Sequence, residues 1–288
     1  MSNTNDLTAA KDLLPRIQAT GEDLGYEVCR YCGKQLPRKR YTLFQKEQII
    51  PVRCDCEKAR KQELKELRER ELELERESKA RHWKEHVAML YEKSGMGRRF
   101  MARAFESYLA DDDEKRRAVE TVKRYVGTFP DREKEGKGLY IYGGYGSGKT
   151  HLAASMTHAL IQQGISVVCQ TFGDMLLNVR DKMTRGVTEE TAVQHYIKPR
   201  LLVIDDLGKE KCTEWSMSIL YSIINRRYED MAPVVITTNY DFPRLIKALT
   251  PRAPEADDDR IRSIVSRLEE CTYQLHLDWD DMRSRRSS

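Results

Sequence analysis

The chain has 288 residues, 33% charged and 40% hydrophobic, with a formal net charge of +4 at pH 7. That length holds one ordinary globular domain plus something smaller, and the mixed charge only weakly favours an anionic partner. No apolar run nears the length of a membrane span and the N-terminus lacks a basic-then-apolar signal, so a cytoplasmic protein is expected, in which clustered cysteines suggest metal before disulfides.

In chain order, residues 1–56 come first and carry four of the seven cysteines. Cys29 and Cys32 form C-x-x-C in CRYCGK, and Cys54 and Cys56 form C-x-C in PVRCDCEK. Each pair presents two thiolates from one tight turn, which is what a tetrahedral Zn²⁺ site needs. Gly33 suits the turn of a zinc knuckle, and a region this small has too little core to fold without a metal. Unpaired surface thiols are the alternative. Residues 57–93 are nearly free of Gly and Pro and dense in Glu, Lys and Arg, so they are predicted to be helical. Leu64, Leu67, Leu72 and Leu74 sustain no a/d heptad, so no long coiled coil is expected, and the helix reads as a lever, a partner-binding element or a solvated spacer.

From about Ser94 the chain alternates short apolar runs with helical patterns. Strands are predicted near 138–142, 165–169, 201–205, 233–237 and 272–277. Helices are predicted near 149–163, 173–184, 213–229, 242–249 and 258–269. This pattern is an α/β fold with a five-stranded parallel sheet covered on both faces, whose ligand site lies at the strand carboxyl ends. Cys169, Cys212 and Cys271 are isolated and read as structural, the first and last in predicted strands.

The first of those strands runs into a loop of the form G-x-x-x-x-G-K-T: Gly143, Gly144, Tyr145, Gly146, Ser147, Gly148, Lys149 and Thr150, followed by His151 at the start of a helix. Glycines let successive N–H groups converge on an anion, and the helix N-terminus adds its dipole. Lys149 is placed to reach the outer phosphates and Thr150 to ligate Mg²⁺. In RLLVIDDLG, a buried-strand pattern ends in two carboxylates. Asp205 sits where a P-loop ATPase holds Mg²⁺, and Asp206 where one orients or deprotonates the attacking water. Nucleoside triphosphate binding and hydrolysis are the expectation.

Downstream, VVITTNYD ends an apolar run at Asn239, DDRIRSIVSRLEEC makes a helix, and LHLDWDDMRSRR closes the chain. With the P-loop and IDDLG, this order resembles the AAA+ ATPases of the DnaC/DnaI helicase-loader group over roughly residues 96–288. RRFMARAFESY (98–108) resembles the group's lead-in to the ATPase core, near the adenine base. The cysteine-bearing N-terminus and charged helix resemble the Firmicute and phage members, which implies domains at 1–56 (zinc-binding, helicase-interacting), 57–95 (helical linker) and 96–288 (AAA+ ATPase). The resemblance further implies Asn239 as sensor 1, Arg267 as an arginine finger reaching a neighbouring subunit, and Arg283 as sensor 2. The chain departs from the group in two places. The acidic DDDRIRS replaces a glycine-glutamate-arginine lead-in to the finger helix, and Asp206 stands where many AAA+ proteins carry Glu. Residues 171–199 correspond to a single-stranded DNA contact in the group, with Arg180, Lys182 and Arg185 as candidates, although an ordinary solvated helix face reads the same way. The implied function is ATP-dependent loading of a hexameric DnaB-type replicative helicase onto single-stranded DNA, with self-association through the ATPase domain. The alternatives are an IstB-type transposition helper that binds duplex DNA and a transposase, and a nucleotide-gated adaptor with little hydrolysis.

Overall fold

The computed structural model describes residues 24–43, 46–250 and 258–282. The chain divides into two compact units, Met1–Arg81 and His82–Ser288, and the division falls inside one long helix.

In the first unit, strands β1 (Tyr26–Val28), β2 (Gln35–Leu43) and β3 (Lys46–Pro51) form an antiparallel sheet in that order. Tyr26, Val28 and Ile49 are more than half exposed, so this sheet has little core of its own. Helix α1 (Glu57–Ser94) follows. Its first turns bury no apolar face: Leu64, Leu67, Leu72 and Leu74 are all more than half exposed. Propensity and exposed i,i+4 ion pairs (Lys61–Glu57, Lys65–Glu69, Lys79–Glu75) hold it, each pair contributing about 0.3–0.5 kcal/mol.

The second unit begins with the end of α1, where Val87 and Leu90 are buried. After α2 (Arg98–Met101) and a 3₁₀ turn (Phe105–Ser107) come α3 (Asp113–Gly127), α4 (Phe129–Lys134), β4 (Gly138–Gly143) and α5 (Lys149–Gln162). Then follow β5 (Val167–Thr171), α6 (Phe172–Thr184), α7 (Glu189–Ile197), β6 (Leu201–Leu207) and α8 (Glu214–Glu229). The unit closes with β7 (Val234–Thr238), α9 (Phe242–Leu249), α10 (Asp258–Cys271) and β8 (Thr272–Leu277). The five strands β4 to β8 pair in parallel, in the order β5-β6-β7-β4-β8. The parallel, doubly covered sheet expected from the sequence is therefore present. Cys169 lies buried in β5 as expected, but Cys271 is the last residue of α10 rather than part of a strand.

The two-residue period of a strand sends alternate side chains to opposite faces. Leu202, Ile204, Val234 and Ile236 pack with α6, α7, α8, α9 and α10 on one side. Leu201, Val203, Val235, Leu139 and Ile141 pack with α3, α5 and the end of α1 on the other. Both faces are buried, which explains why β4, β6 and β7 read as unbroken apolar runs. A buried cation braces the opposite edge of the sheet from the carboxyl ends. Arg227 is fully buried and donates to the carbonyls of Tyr196, Ile197, Pro199, Arg200 and Pro233, tying the entries of β6 and β7 to α8. Burial holds its pKa down to about 10, with Tyr125 and Asp230 partly opposing the fall.

Candidate functional site

The order of the strands builds the site. β7 lies between β4, which leads into the glycine-rich loop, and β6, which carries the acidic pair, so the carboxyl end of β7 sits between them. Gly148 caps α5 with a left-handed φ of 92°, and a Cβ there would come within 2.6 Å of the Tyr108 hydroxyl. Only glycine satisfies both the backbone and that contact. The loop is clamped from outside. Tyr108 Oη and Trp279 Nε1 both donate to the Ser147 carbonyl (3.1 and 2.9 Å), and the Met282 amide donates to the Gly146 carbonyl at 3.1 Å.

Lys149, buried at the first position of α5, donates from Nζ to the carbonyls of Gly143 (3.0 Å) and Gly144 (2.6 Å). Thr150 Oγ1 donates to Asp205 Oδ2 at 3.1 Å, joining the loop to β6. The second oxygen of Asp205 accepts from Thr237 Oγ1 on β7 at 2.6 Å. Asp205 is buried, and desolvation raises its pKa above the usual carboxylate range. The bond from Thr237 opposes that rise, the charge of Asp206 adds to it, and Thr150 and Arg103 pull the other way.

Asp206 has a φ of 57°, at a bulge where the β6–β7 register shifts between Ile204 and Leu207. The bulge turns its side chain out of strand alternation and toward the mouth of the site, where it pairs with Lys209 at 3.2 Å. A cleft of about 410 Å³ opens there, lined by Lys149, Thr150, Asp206, Lys209 and Asn239 among others. Tyr145, Gly146, Gly148 and His151 also line it, and Tyr145 is two-thirds exposed. Tyr145, Gly146, Gly148, Lys149, Thr150, Asp206 and Asn239 thus line one cleft, and the buried Asp205 is joined to it through Thr150.

Other expected residues lie elsewhere. Arg267 on α10 rests between the rings of Tyr221 (5.7 Å) and Tyr228 (5.5 Å) and donates to the Ser263 carbonyl at 3.1 Å. Its Nε is buried without a partner. Arg283 lies outside the described residues. Arg180 and Lys182 are on α6 and Arg185 caps it; none of them lines the cleft. Arg180 stacks on Trp215 at 5.0 Å, and Arg185 pairs with Asp181 at 2.9 Å. The sequence reading did not single out Thr237 or Trp279. Thr237 sits in plain view within VVITTN, but its role depends on strand order, which no local pattern carries.

The first unit holds a second site. Cys29 and Cys32 lie in the turn after β1, and Cys54 and Cys56 follow β3. Their four sulfurs all fall within 4.8 Å of one another, with Cys32 and Cys54 at 3.5 Å. A tetrahedral zinc with bonds of about 2.3 Å places its sulfurs about 3.8 Å apart, so the donor set and spacing fit zinc. The amide of Tyr31 and the neighbouring amides and thiols hold Cys29 below the usual thiol range against a desolvation that raises it, and the same thiols push Cys54 up.

No described helix is long and apolar enough to cross a membrane. Residues 54–286 match the model of the family described as IstB-like ATP binding protein. The chain is 27% identical over 214 residues to the replicative helicase loader DnaC of Escherichia coli strain K12, covering 74% of this chain and 80% of that protein. It is 33% identical over 115 residues to the insertion sequence IS5376 putative ATP-binding protein of Geobacillus stearothermophilus, covering 40% of this chain and 44% of that one. Among solved structures, the crystal structure of the DnaC helicase loader matches with a TM-score of 0.53 at 25% identity, over 62% of this chain and 99% of that one. The crystal structure of DnaI matches in fold with a TM-score of 0.53 at 21% identity, over 65% of this chain and 94% of that one.

Proposed function

This chain belongs to the IstB-like ATP binding proteins, and from that premise we propose that it is an ATP-hydrolysing loader that places a hexameric DnaB-type replicative helicase onto single-stranded DNA. The observation that carries the nucleotide part is the Thr150–Asp205 bond, which closes a lysine-bearing glycine loop onto a buried carboxylate across 55 residues of chain. The DNA-replication part rests on likeness to DnaC over most of both chains, against less than half of each for the insertion-sequence protein.

In this reading Lys149 supplies positive charge to the β- and γ-phosphates of ATP, and the loop amides take the remaining phosphate oxygens. Thr150 and Asp205, hard oxygen donors already joined, would hold Mg²⁺, which neutralises charge on the phosphates when bound. Asp206 orients the attacking water and takes its proton as the water oxygen bonds to the γ-phosphorus and the bond to the leaving ADP oxygen breaks. Asn239, at the end of β7, hydrogen-bonds the same water or the γ-phosphate. Arg267 acts on a neighbouring subunit's nucleotide and Arg283 on its own. The cysteine module, residues 1–56, holds zinc and contacts the helicase through a charged linker over 57–95, while Arg180, Lys182 and Arg185 of the ATPase domain meet DNA phosphates. A second reading, a transposition helper, is favoured by the family description and by the higher local identity to the insertion-sequence protein.

One experiment separates the two. The ATPase rate is measured with a DnaB-type helicase, single-stranded DNA or duplex DNA added separately, and complexes are sized by chromatography. Stimulation by helicase and single-stranded DNA, with a helicase complex, supports the loader. Stimulation by duplex alone with no helicase complex supports the transposition helper.

A further inference from the structure

Part of the cleft lining comes from the stretch between α2 and α3, which contributes Arg103, Ser107 and Tyr108. Arg103 is half-buried in the irregular link before the 3₁₀ turn. Its amide donates to the Phe100 carbonyl at 3.0 Å, and its guanidinium lies 5.4 Å from the centre of the Phe100 ring. A planar cation held against an aromatic face loses less side-chain freedom on meeting a ligand than a solvated one. Among the described residues lining the cleft, Arg103 is the only arginine.

Two lysines share the cleft with it. Lys149 is held by loop carbonyls, and Lys209 pairs with Asp206. The field of Arg103 reaches Asp205 at the back of the cleft and partly offsets the cost of burying that carboxylate. A bound nucleoside triphosphate would bring its most negative group into the cleft that Arg103, Lys149, Asp206 and Asn239 line.

We propose that Arg103 contacts the terminal phosphate of a bound nucleoside triphosphate in cis, from the stretch between α2 and α3, and so distinguishes triphosphate from diphosphate. The inference rests on the ATP-binding reading of the cleft. Guanidinium suits the task because its fork donates two parallel hydrogen bonds to phosphate oxygens. The segment carrying Arg103 is also wired to α5. His151 Nε2 lies 3.0 Å from the Ala104 carbonyl and 3.1 Å from Ser107 Oγ, and His158 Nε2 lies 3.1 Å from the Phe100 carbonyl. His158 Nδ1 in turn lies 3.0 Å from the Tyr91 hydroxyl near the end of α1. Occupation by a triphosphate would therefore be felt through this stretch at the last turns of α1.

The test is equilibrium binding of a non-hydrolysable ATP analogue and of ADP to the full chain and to Arg103→Gln and Arg103→Lys, with melting temperatures as a folding check. Arg103→Gln is expected to lose about tenfold or more in triphosphate affinity, with ADP affinity changed less than about twofold. Arg103→Lys, which keeps the charge without the fork, is expected to fall between. An unchanged ratio of the two affinities in both variants overturns the inference, as does an equal loss for both nucleotides, which would mark a structural role. If the unmodified chain binds neither nucleotide, the ATP reading of the cleft fails first and the inference falls with it.

Discussion

The hydroxyl of Thr237 donates to Asp205 Oδ1 at 2.6 Å and accepts from the amide of Asp206 at 2.9 Å. One side chain on β7 thereby fixes the carboxylate proposed to hold the metal and the backbone of the residue proposed to handle water. Thr237→Val keeps the β-branched shape and removes both bonds. It is expected to destabilise the ATPase unit by about 1–3 kcal/mol, because a buried carboxylate loses a donor. ATP turnover should fall about tenfold or more while nucleotide affinity falls less. Thr237→Ser should recover most of both. Calorimetric melting and steady-state hydrolysis of the three proteins check this.

The elevated pKa of Asp205 has a pH signature. A carboxyl whose folded pKa lies above its unfolded value contributes stability that is fully present below the unfolded pKa and is lost as pH rises through the folded one. At neutral pH the nucleotide-free protein therefore carries the cost of a buried charge. Asp205→Asn, which never ionises, should melt higher than the unmodified chain near pH 7, and the gap should close as pH is lowered toward about 4. Magnesium should stabilise the nucleotide complex of the unmodified chain only. A gap that stays constant with pH would contradict the assignment of cause.

The cysteine module should carry about one zinc per chain by elemental analysis of protein purified in reducing, chelator-free buffer. Replacing Cys29 and Cys32 together by serine should remove the metal and unfold β1 to β3, since metal binding there supplies folding free energy. ATP binding should persist. Amide exchange over residues 24–56 and nucleotide binding on the same sample separate the two effects.

Arg267 lies against Tyr221 and Tyr228 in the isolated chain. Acting on a neighbour's nucleotide requires it to leave those rings, so assembly must supply more than the stacking holds, about 0.5–1 kcal/mol at a partly exposed site. Arg267→Ala is expected to abolish the rise in ATPase rate produced by a partner, with ATP affinity retained. A rise of undiminished size in the variant would remove Arg267 from the finger role and direct attention to Arg260 and Arg262 on the same helix.

Strong local signals made most of the core legible in the sequence. The strands β4 and β6 to β8 begin within a residue of where the apolar runs placed them, and α5, α6, α8, α9 and α10 likewise. The strand near 165–169 was placed two residues early, because Gly164 and Ile165 belong to the turn that ends α5. Helices α3 and α7 went unread. In α3 the apolar positions Ala118, Val119, Val122, Tyr125 and Val126 are set among dense charge, and the stripe they form faces the sheet only once α5 is in place. Strand order was not legible at all. It depends on which runs meet in space, and it alone brings Thr237 to Asp205 and the end of β7 between loop and carboxylates. Nor does any short motif disclose that Tyr108 and Trp279, 171 positions apart by their numbers, share one carbonyl of the loop.

The left-handed backbone at Asp206 narrows which descendants of this sequence are within easy reach. Aspartate and asparagine enter that conformation at modest cost, whereas longer side chains do so seldom. A single-codon drift to glutamate would lengthen the acid but set it on a backbone that resists it, so a faster hydrolase would require the bulge itself to be rebuilt. Drift to asparagine meets no such obstacle. If Asp206 handles the water as proposed, lineages of this protein can shed turnover in one step while keeping the nucleotide cleft intact, whereas lengthening the acid there demands a change of backbone as well.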